Sequence, residues 1–123
     1  MLKVQPTHDK ELLNRLSEEI FGRAFPKGVG YVLYEGSTPL GVADVVAHPE
    51  KSEIVSVGIL PTERGKGYGD FFTRVIMDRL SGVCRVITAG YTSAYYLKFG
   101  FCEKAGKMEI RSSELVFPRA CQK

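Results

Sequence analysis

A chain of 123 residues, 44% apolar and 25% charged, is long enough to bury a core and too short for two ordinary domains, so one domain over residues 1–123 is expected. The net charge of +3, without a long Lys/Arg run, suits an anionic small ligand and argues against nucleic acid as a partner. No apolar run approaches the ~20 residues that cross a membrane, so no membrane partner is expected either.

In chain order, "MLKVQ" reads as a short first strand, and the charges that follow it are unlike a signal peptide. Thr7 is the expected N-cap of a helix over roughly 8–21, with Asp9 and Glu11 in its first turn, where the dipole favours carboxylates. Leu12, Leu13, Leu16 and Ile20 recur at helical spacing, and Gly22 stands where a C-terminal glycine belongs. "VGYVLYE" and "PLGVADVVA", separated by "GST", form a hairpin pattern. "EIVSVGIL" is apolar on both faces, as in a central buried strand. A glycine-rich turn leads into a helix near residues 67–80, with Phe71, Phe72, Val75, Ile76 and Leu80 as its apolar face and Gly82 near its end. "VCRVIT" is strand-like, "SAYYLKF" is a short helix ending at Gly100, and the tail holds one or two strands. The class is α/β, with a sheet of mixed direction.

Cys84, Cys102 and Cys121 form no C-x-x-C pair and leave one unpaired in any disulfide scheme, which points to free thiols in a reducing compartment, the cytoplasm. His8 and His48 have no partner at metal-ligand spacing, so no metal is expected.

The stretch "ILPTERGKGYGDFF" carries the chemistry. Amides at the start of a helix are unpaired donors, and the dipole adds partial positive charge. Glycines at 65, 67 and 69 let phosphate oxygens approach without a Cβ in the way, while Arg64 and Lys66 add countercharge. The same glycines also serve a tight packing turn. The spacing is not that of a Walker loop, because Gly67 follows Lys66 where a hydroxyl residue is needed to hold magnesium. Nor is it the G-x-G-x-x-G of dinucleotide folds.

Arg64-Gly65-Lys66-Gly67-Tyr68-Gly69 resembles the Arg/Gln-x-x-Gly-x-Gly/Ala signature of the GNAT superfamily of N-acetyltransferases. Upstream, "VGILPTER" is similar to that family's central strand and loop. Downstream, "YYLKFGF" matches Tyr-x-Lys-x-Gly-Phe at Tyr96, Lys98, Gly100 and Phe101. The resemblance runs over residues 53–101. Ala89 and Thr92 stand where many members carry Asn and Ala, and the region before the second strand is short.

The resemblance implies a mostly antiparallel sheet with a splayed central strand pair, and acetyl-CoA as co-substrate with its pyrophosphate on residues 64–69. It implies that the N–H of Val57 polarises the thioester carbonyl and that of Ile59 holds the pantetheine, with Gly58 allowing a bulge. Read by itself, Gly58 serves equally for close packing. Tyr96 becomes the general acid on the departing thiolate. Glu53 becomes the general base, as in the histone-acetyltransferase branch. Asp44, a charge within "GVADVVA", is the second candidate. Lys98 meets the nucleotide end of the coenzyme or faces solvent. The acceptor is a primary amine on a small molecule, peptide or protein, and a tail strand offers an edge for a homodimer. Two other readings stay open: an acyl-CoA-binding module without catalysis, and a structural domain whose glycines only shape a turn.

Overall fold

The computed structural model describes residues 1–26 and 29–118. In chain order the regular elements are β1 (Leu2–Thr7), α1 (Lys10–Phe21), β2 (Gly30–Glu35), β3 (Thr38–Val46), β4 (Lys51–Ile59), α2 (Tyr68–Ser81), β5 (Val86–Ala89), β6 (Cys102–Lys104) and β7 (Lys107–Arg111). Short 3-10 turns cover Pro61–Glu63, Ala94–Phe99 and Ser112–Glu114. The strands form one seven-stranded sheet in the order β1-β2-β3-β4-β5-β7-β6. The β4/β5 pair is parallel; β1/β2, β2/β3, β5/β7 and β6/β7 are antiparallel. This is the mixed, mostly antiparallel α/β architecture expected from the sequence. By contacts the chain divides into two compact units.

The first unit comprises Met1–Val45 and Ser56–Thr73. Its core is Leu13 and Leu16 of α1 against Val32 of β2 and Val42 of β3, with Leu12, Ile20, Phe21, Phe25, Tyr34 and Leu60 packed around them. Burying each of those two leucines contributes roughly 1.5–3 kcal/mol. The N-cap of α1 is Asp9, whose carboxylate accepts from the Leu12 N–H, and not Thr7 as the sequence suggested. Thr7 ends β1, and its hydroxyl accepts from the Asp9 N–H one step earlier. Gly22 closes the helix in the left-handed conformation, as expected. The β2–β3 hairpin turns through Gly36 and Ser37, and the positive φ of Gly36 (+62°) explains the glycine.

The second unit comprises Val46–Val55 and Arg74–Lys123. Here β4 pairs with β5 from Lys51↔Val86 to Ile54↔Ala89, and β5 pairs with β7. The tail does supply two strands, joined by a turn at Ala105 and Gly106, both with positive φ. Ile76, Met77, Leu80, Ile87, Phe99, Phe101, Met108 and Ile110 are buried.

In α2 the buried row is Phe72, Ile76 and Leu80 with Met77 alongside, whereas Phe71, expected inside, is 36% exposed. Strand β5 starts three residues later than "VCRVIT" suggested. The amides of Val83 and Cys84 donate to the Leu80 carbonyl and so extend the helix end instead. Cys84 and Cys102 are free thiols, and Cys121 lies outside the described residues. Among the described residues, no helix is long and apolar enough to cross a membrane. Among the described residues, no three His, Cys, Asp or Glu side chains gather where a metal ion would bind.

Candidate functional site

The ligand-holding candidates Val57, Ile59 and residues 64–69 lie on the first unit, and Lys98 on the second. After β4 the chain takes the 3-10 turn at Pro61–Glu63, leaves it extended at Arg64, and reaches α2 through Gly65 and Gly67, with φ of +83° and +86°. Only glycine adopts that conformation without strain. Among the described residues other than each glycine's own chain neighbours, no atom lies within 4 Å of where a Cβ would stand at either position, so the backbone here borders open space. Gly69 differs: it is already helical, and a Cβ there would only touch Ile59. The first bond of α2 runs from the Phe71 N–H to the Gly67 carbonyl, which leaves the amides of Tyr68 and Gly69 as first-turn donors.

Both cations of the loop are held by their own chain. The Arg64 Nε–H donates to the Ile59 carbonyl at 3.1 Å, which anchors the guanidinium beside the end of β4. Lys66 Nζ lies 3.0 Å from a Glu63 carboxylate oxygen, and that hydrogen bond and charge raise the lysine above its ordinary value. The countercharge expected of Lys66 is therefore shared with Glu63.

Val57 and Ile59 lie on β4 beyond Ile54, the last β4 residue in the ladder to β5. Gly58 between them has no positive φ. A Cβ there would stand 2.4 Å from Ile20 Cγ2 and 2.7 Å from Phe21 Cζ, so glycine is required by the packing of α1. Gly41 on β3 is equally confined, its Cβ position lying 2.5 Å from the Gly58 carbonyl oxygen. Asp44 is buried on β3 opposite Gly30.

Of the catalytic candidates, Glu53 and Tyr96 lie on the second unit and Asp44 on the first. Glu53 stands opposite Thr88 of β5, with its carboxylate 3.7 Å from Lys107 Nζ. A Cβ on Gly90 would come within 2.4 Å of Glu53 Oε2, so the carboxylate lies across the glycine that follows β5. Nothing in the local residue pattern singles out Gly90.

Tyr96 sits in the 3-10 turn Ala94–Phe99, which Ser93 caps by accepting from the Tyr95 N–H and which Gly100 ends with φ of +103°. It is 1% exposed, enclosed by the rings of Tyr91, Tyr95 and Phe101 at centroid distances of 5.8, 5.4 and 5.0 Å. Its hydroxyl lies 2.8 Å from that of Tyr91. Burial, with Tyr91 and Tyr95 beside it, raises the phenol above its ordinary value, so Tyr96 is protonated at neutral pH. Lys98 is exposed, with Nζ over the Tyr95 ring at 4.6 Å. Tyr91 was not singled out from the sequence; the only signal was a third phenol within "GYTSAYY".

No family model matches the chain, nor does any curated protein sequence. Solved structures do match. A GNAT family acetyltransferase from Brucella melitensis in complex with acetyl-CoA superposes with a TM-score of 0.69 at 19% identity, over 90% of this chain and 88% of that one. The ribosomal-protein-S18-alanine N-acetyltransferase from Escherichia coli gives 0.73 at 12% identity, over 100% and 99%. A GNAT family N-acetyltransferase from Escherichia coli in complex with CoA gives 0.67 at 14% identity, over 91% and 81%. At these identities the likeness is one of architecture, and this chain has the fold of the GNAT acetyltransferases.

Proposed function

We propose that the chain is an acetyl-CoA-dependent N-acetyltransferase that moves an acetyl group to a primary amine by direct attack, with both substrates bound. The observation that carries this is the cradle at residues 64–69: two positive-φ glycines bordering open space before the first turn of a 14-residue helix. A pyrophosphate fits it, because its oxygens can meet the first-turn amides where no side chain intervenes. Arg64, anchored on Ile59, lends its remaining guanidinium N–H groups.

Acetyl-CoA, when bound, supplies the thioester whose carbonyl carbon accepts the amine. The chain's own groups then have five tasks. The Val57 N–H stabilises negative charge on the carbonyl oxygen, and the Ile59 N–H holds the pantetheine in register. Tyr96 Oη, kept protonated by its burial, gives a proton to the leaving sulfur. Glu53 takes a proton from the amine, with the Lys107 ammonium nearby to orient its carboxylate and Asp44 as the alternative base. Lys98 serves the nucleotide end of the coenzyme.

The acceptor is an amine of a small molecule, a peptide end or a protein lysine. The Escherichia coli structure named for an alanine of a ribosomal protein supports an amine acceptor in general terms. The free thiols of Cys84 and Cys102 suit a reducing compartment such as the cytoplasm, and the edge strands β1 and β6 are where a homodimer would pair.

One observation favours a second reading, a non-catalytic acyl-CoA-binding module. Both groups assigned to proton transfer already have partners, Glu53 with Lys107 and Tyr96 with Tyr91. Thermal melts with acetyl-CoA, coenzyme A, ATP and NAD test the donor site. A ligand at 100 times its Kd adds about 2.7 kcal/mol, several degrees for a domain of this size. A shift with both coenzymes and neither nucleotide supports the cradle, and no shift with any of them overturns it. Release of free thiol in the presence of primary amines then separates the enzyme from the binding module.

A further inference from the structure

The turn after β5 brings two phenol hydroxyls together. Tyr91 is 38% exposed and Tyr96 is 1% exposed, and their Oη atoms are 2.8 Å apart across an edge-on pair of rings. A phenol has one proton to donate. Should Tyr96 give that proton to sulfur, it cannot also give it to Tyr91, so the bond between them must run from Tyr91 to Tyr96.

We propose that Tyr91 is a positioning residue for acetyl transfer: its hydroxyl donates to Tyr96 Oη, frees the Tyr96 proton for the departing sulfur, and restores it from solvent. This rests on the reading of Tyr96 as the acid. In the transfer the C–N bond forms and the C–S bond breaks. Sulfur takes the Tyr96 proton, Tyr96 takes that of Tyr91, and Tyr91 takes one from water. The alkylammonium loses two protons to base and solvent, so that one proton remains in solvent for each acetyl moved.

Two features support this division of labour. The exposed ring reaches water and the buried one does not, so Tyr91 is the member of the pair that solvent can reload. The two hydroxyls are already at hydrogen-bond distance, 2.8 Å, so Tyr91 can donate to Tyr96 Oη without any rearrangement of the turn. The titratable groups bearing on Tyr96 are Tyr91 itself and Tyr95, two further phenols.

The test compares the affinities of coenzyme A and desulfo-coenzyme A by calorimetry near pH ~9, where a thiol begins to ionise. The wild-type chain should prefer coenzyme A. Tyr91→Phe should reduce that preference roughly 3- to 10-fold, the worth of one hydrogen bond, and Tyr96→Phe should abolish it. With acetyl-CoA and a fixed mixture of lysine, spermidine and an alanine-leading peptide, Tyr91→Phe should lower kcat roughly tenfold and leave KM for acetyl-CoA unchanged. Preference lost in Tyr96→Phe but intact in Tyr91→Phe overturns the role of Tyr91 alone. Preference and turnover intact in Tyr96→Phe overturn the acid and this inference together. A wild-type chain that binds both coenzymes equally overturns it without any variant.

Discussion

In the first unit the groups proposed to hold the coenzyme are mostly main-chain groups, and in the second the groups proposed for proton transfer, those of Glu53 and Tyr96, are side chains. Gly65 and Gly67 border open space, with nothing but conformation to explain them. Tyr96 is wrapped by three aromatic rings, and Glu53 lies across Gly90 against Lys107. A backbone cradle needs only the right φ, which a glycine at the right position announces. A side-chain site can take neighbours from distant parts of the chain, as Glu53 takes Lys107, and no local pattern announces those.

The sharpest way to break the comparison is one substitution in each region. Tyr96→Phe deletes a hydroxyl and keeps the ring in its aromatic enclosure. Turnover should fall roughly 100-fold or more, within the range of a lost general acid, while the Kd for acetyl-CoA stays within about twofold. Kinetics beside calorimetry checks this; a matching loss of affinity would mean that the second region also holds the donor. The converse change is Gly67→Val. A β-branched residue at φ of +86° should cost stability of about 1–2 kcal/mol and raise the Kd for coenzyme A roughly tenfold or more. If the affinity survives, the cradle is only a turn.

Glycines also separate the conformational role from the packing role. Gly41→Ala would drive a Cβ onto the Gly58 carbonyl, which is backbone, whereas Gly58→Ala meets the side chains of Ile20 and Phe21, which can shift. Both overpack the first unit, by about 1–3 kcal/mol, and Gly41→Ala should be the worse. Denaturant melts give the order directly.

This bears on what could be read from the sequence. The strand–loop–helix at 51–81 and the closing glycines Gly22 and Gly100 were legible because each glycine answers a local conformational demand. Gly58 was ambiguous because its demand comes from α1, almost forty positions earlier in the chain by the numbering of Ile20 and Phe21. Thr7 and Asp9 both carry an oxygen fit to cap a helix, and the winner was decided by β1 running on to Thr7 to pair with Gly30. Phe71 and Met77 flank one helical stripe, so periodicity alone cannot say which is covered. The Tyr91–Tyr96 pair had no signal beyond composition, because a hydroxyl contact between positions 91 and 96 follows no helical or strand period.

Alkaline pH tests the enclosure of Tyr96 without any ligand. Its folded value is raised above the ordinary 10.0, so the unfolded chain releases this proton first as the pH rises. The contribution is therefore fully present below pH ~10 and declines above it, by about 1.4 kcal/mol at pH ~11. Tyr96→Phe should lack that decrement, so its stability relative to wild type should improve by about that amount between pH ~9 and ~11. Equal slopes would place the phenol in contact with water.

The smallest effect belongs to the turn between β6 and β7. Lys104 and Lys107 face each other across Ala105 and Gly106, and both turn residues have positive φ, as a two-residue turn of the type favoured in hairpins requires. Gly106 meets that demand freely, but Ala105, at +53°, sets its Cβ against the following carbonyl oxygen. Ala105→Gly relieves the strain and loosens the unfolded chain, two effects of opposite sign, about 1–2 kcal/mol gained against roughly 0.4–1 lost. Ala105→Asn keeps most of the relief without the looser unfolded state, since asparagine tolerates this region and is favoured at the first position of such turns. Both variants should therefore melt higher than wild type, with Asn at least equal to Gly. The coenzyme affinity of both should be unchanged, because the turn belongs to the second unit and the cradle to the first.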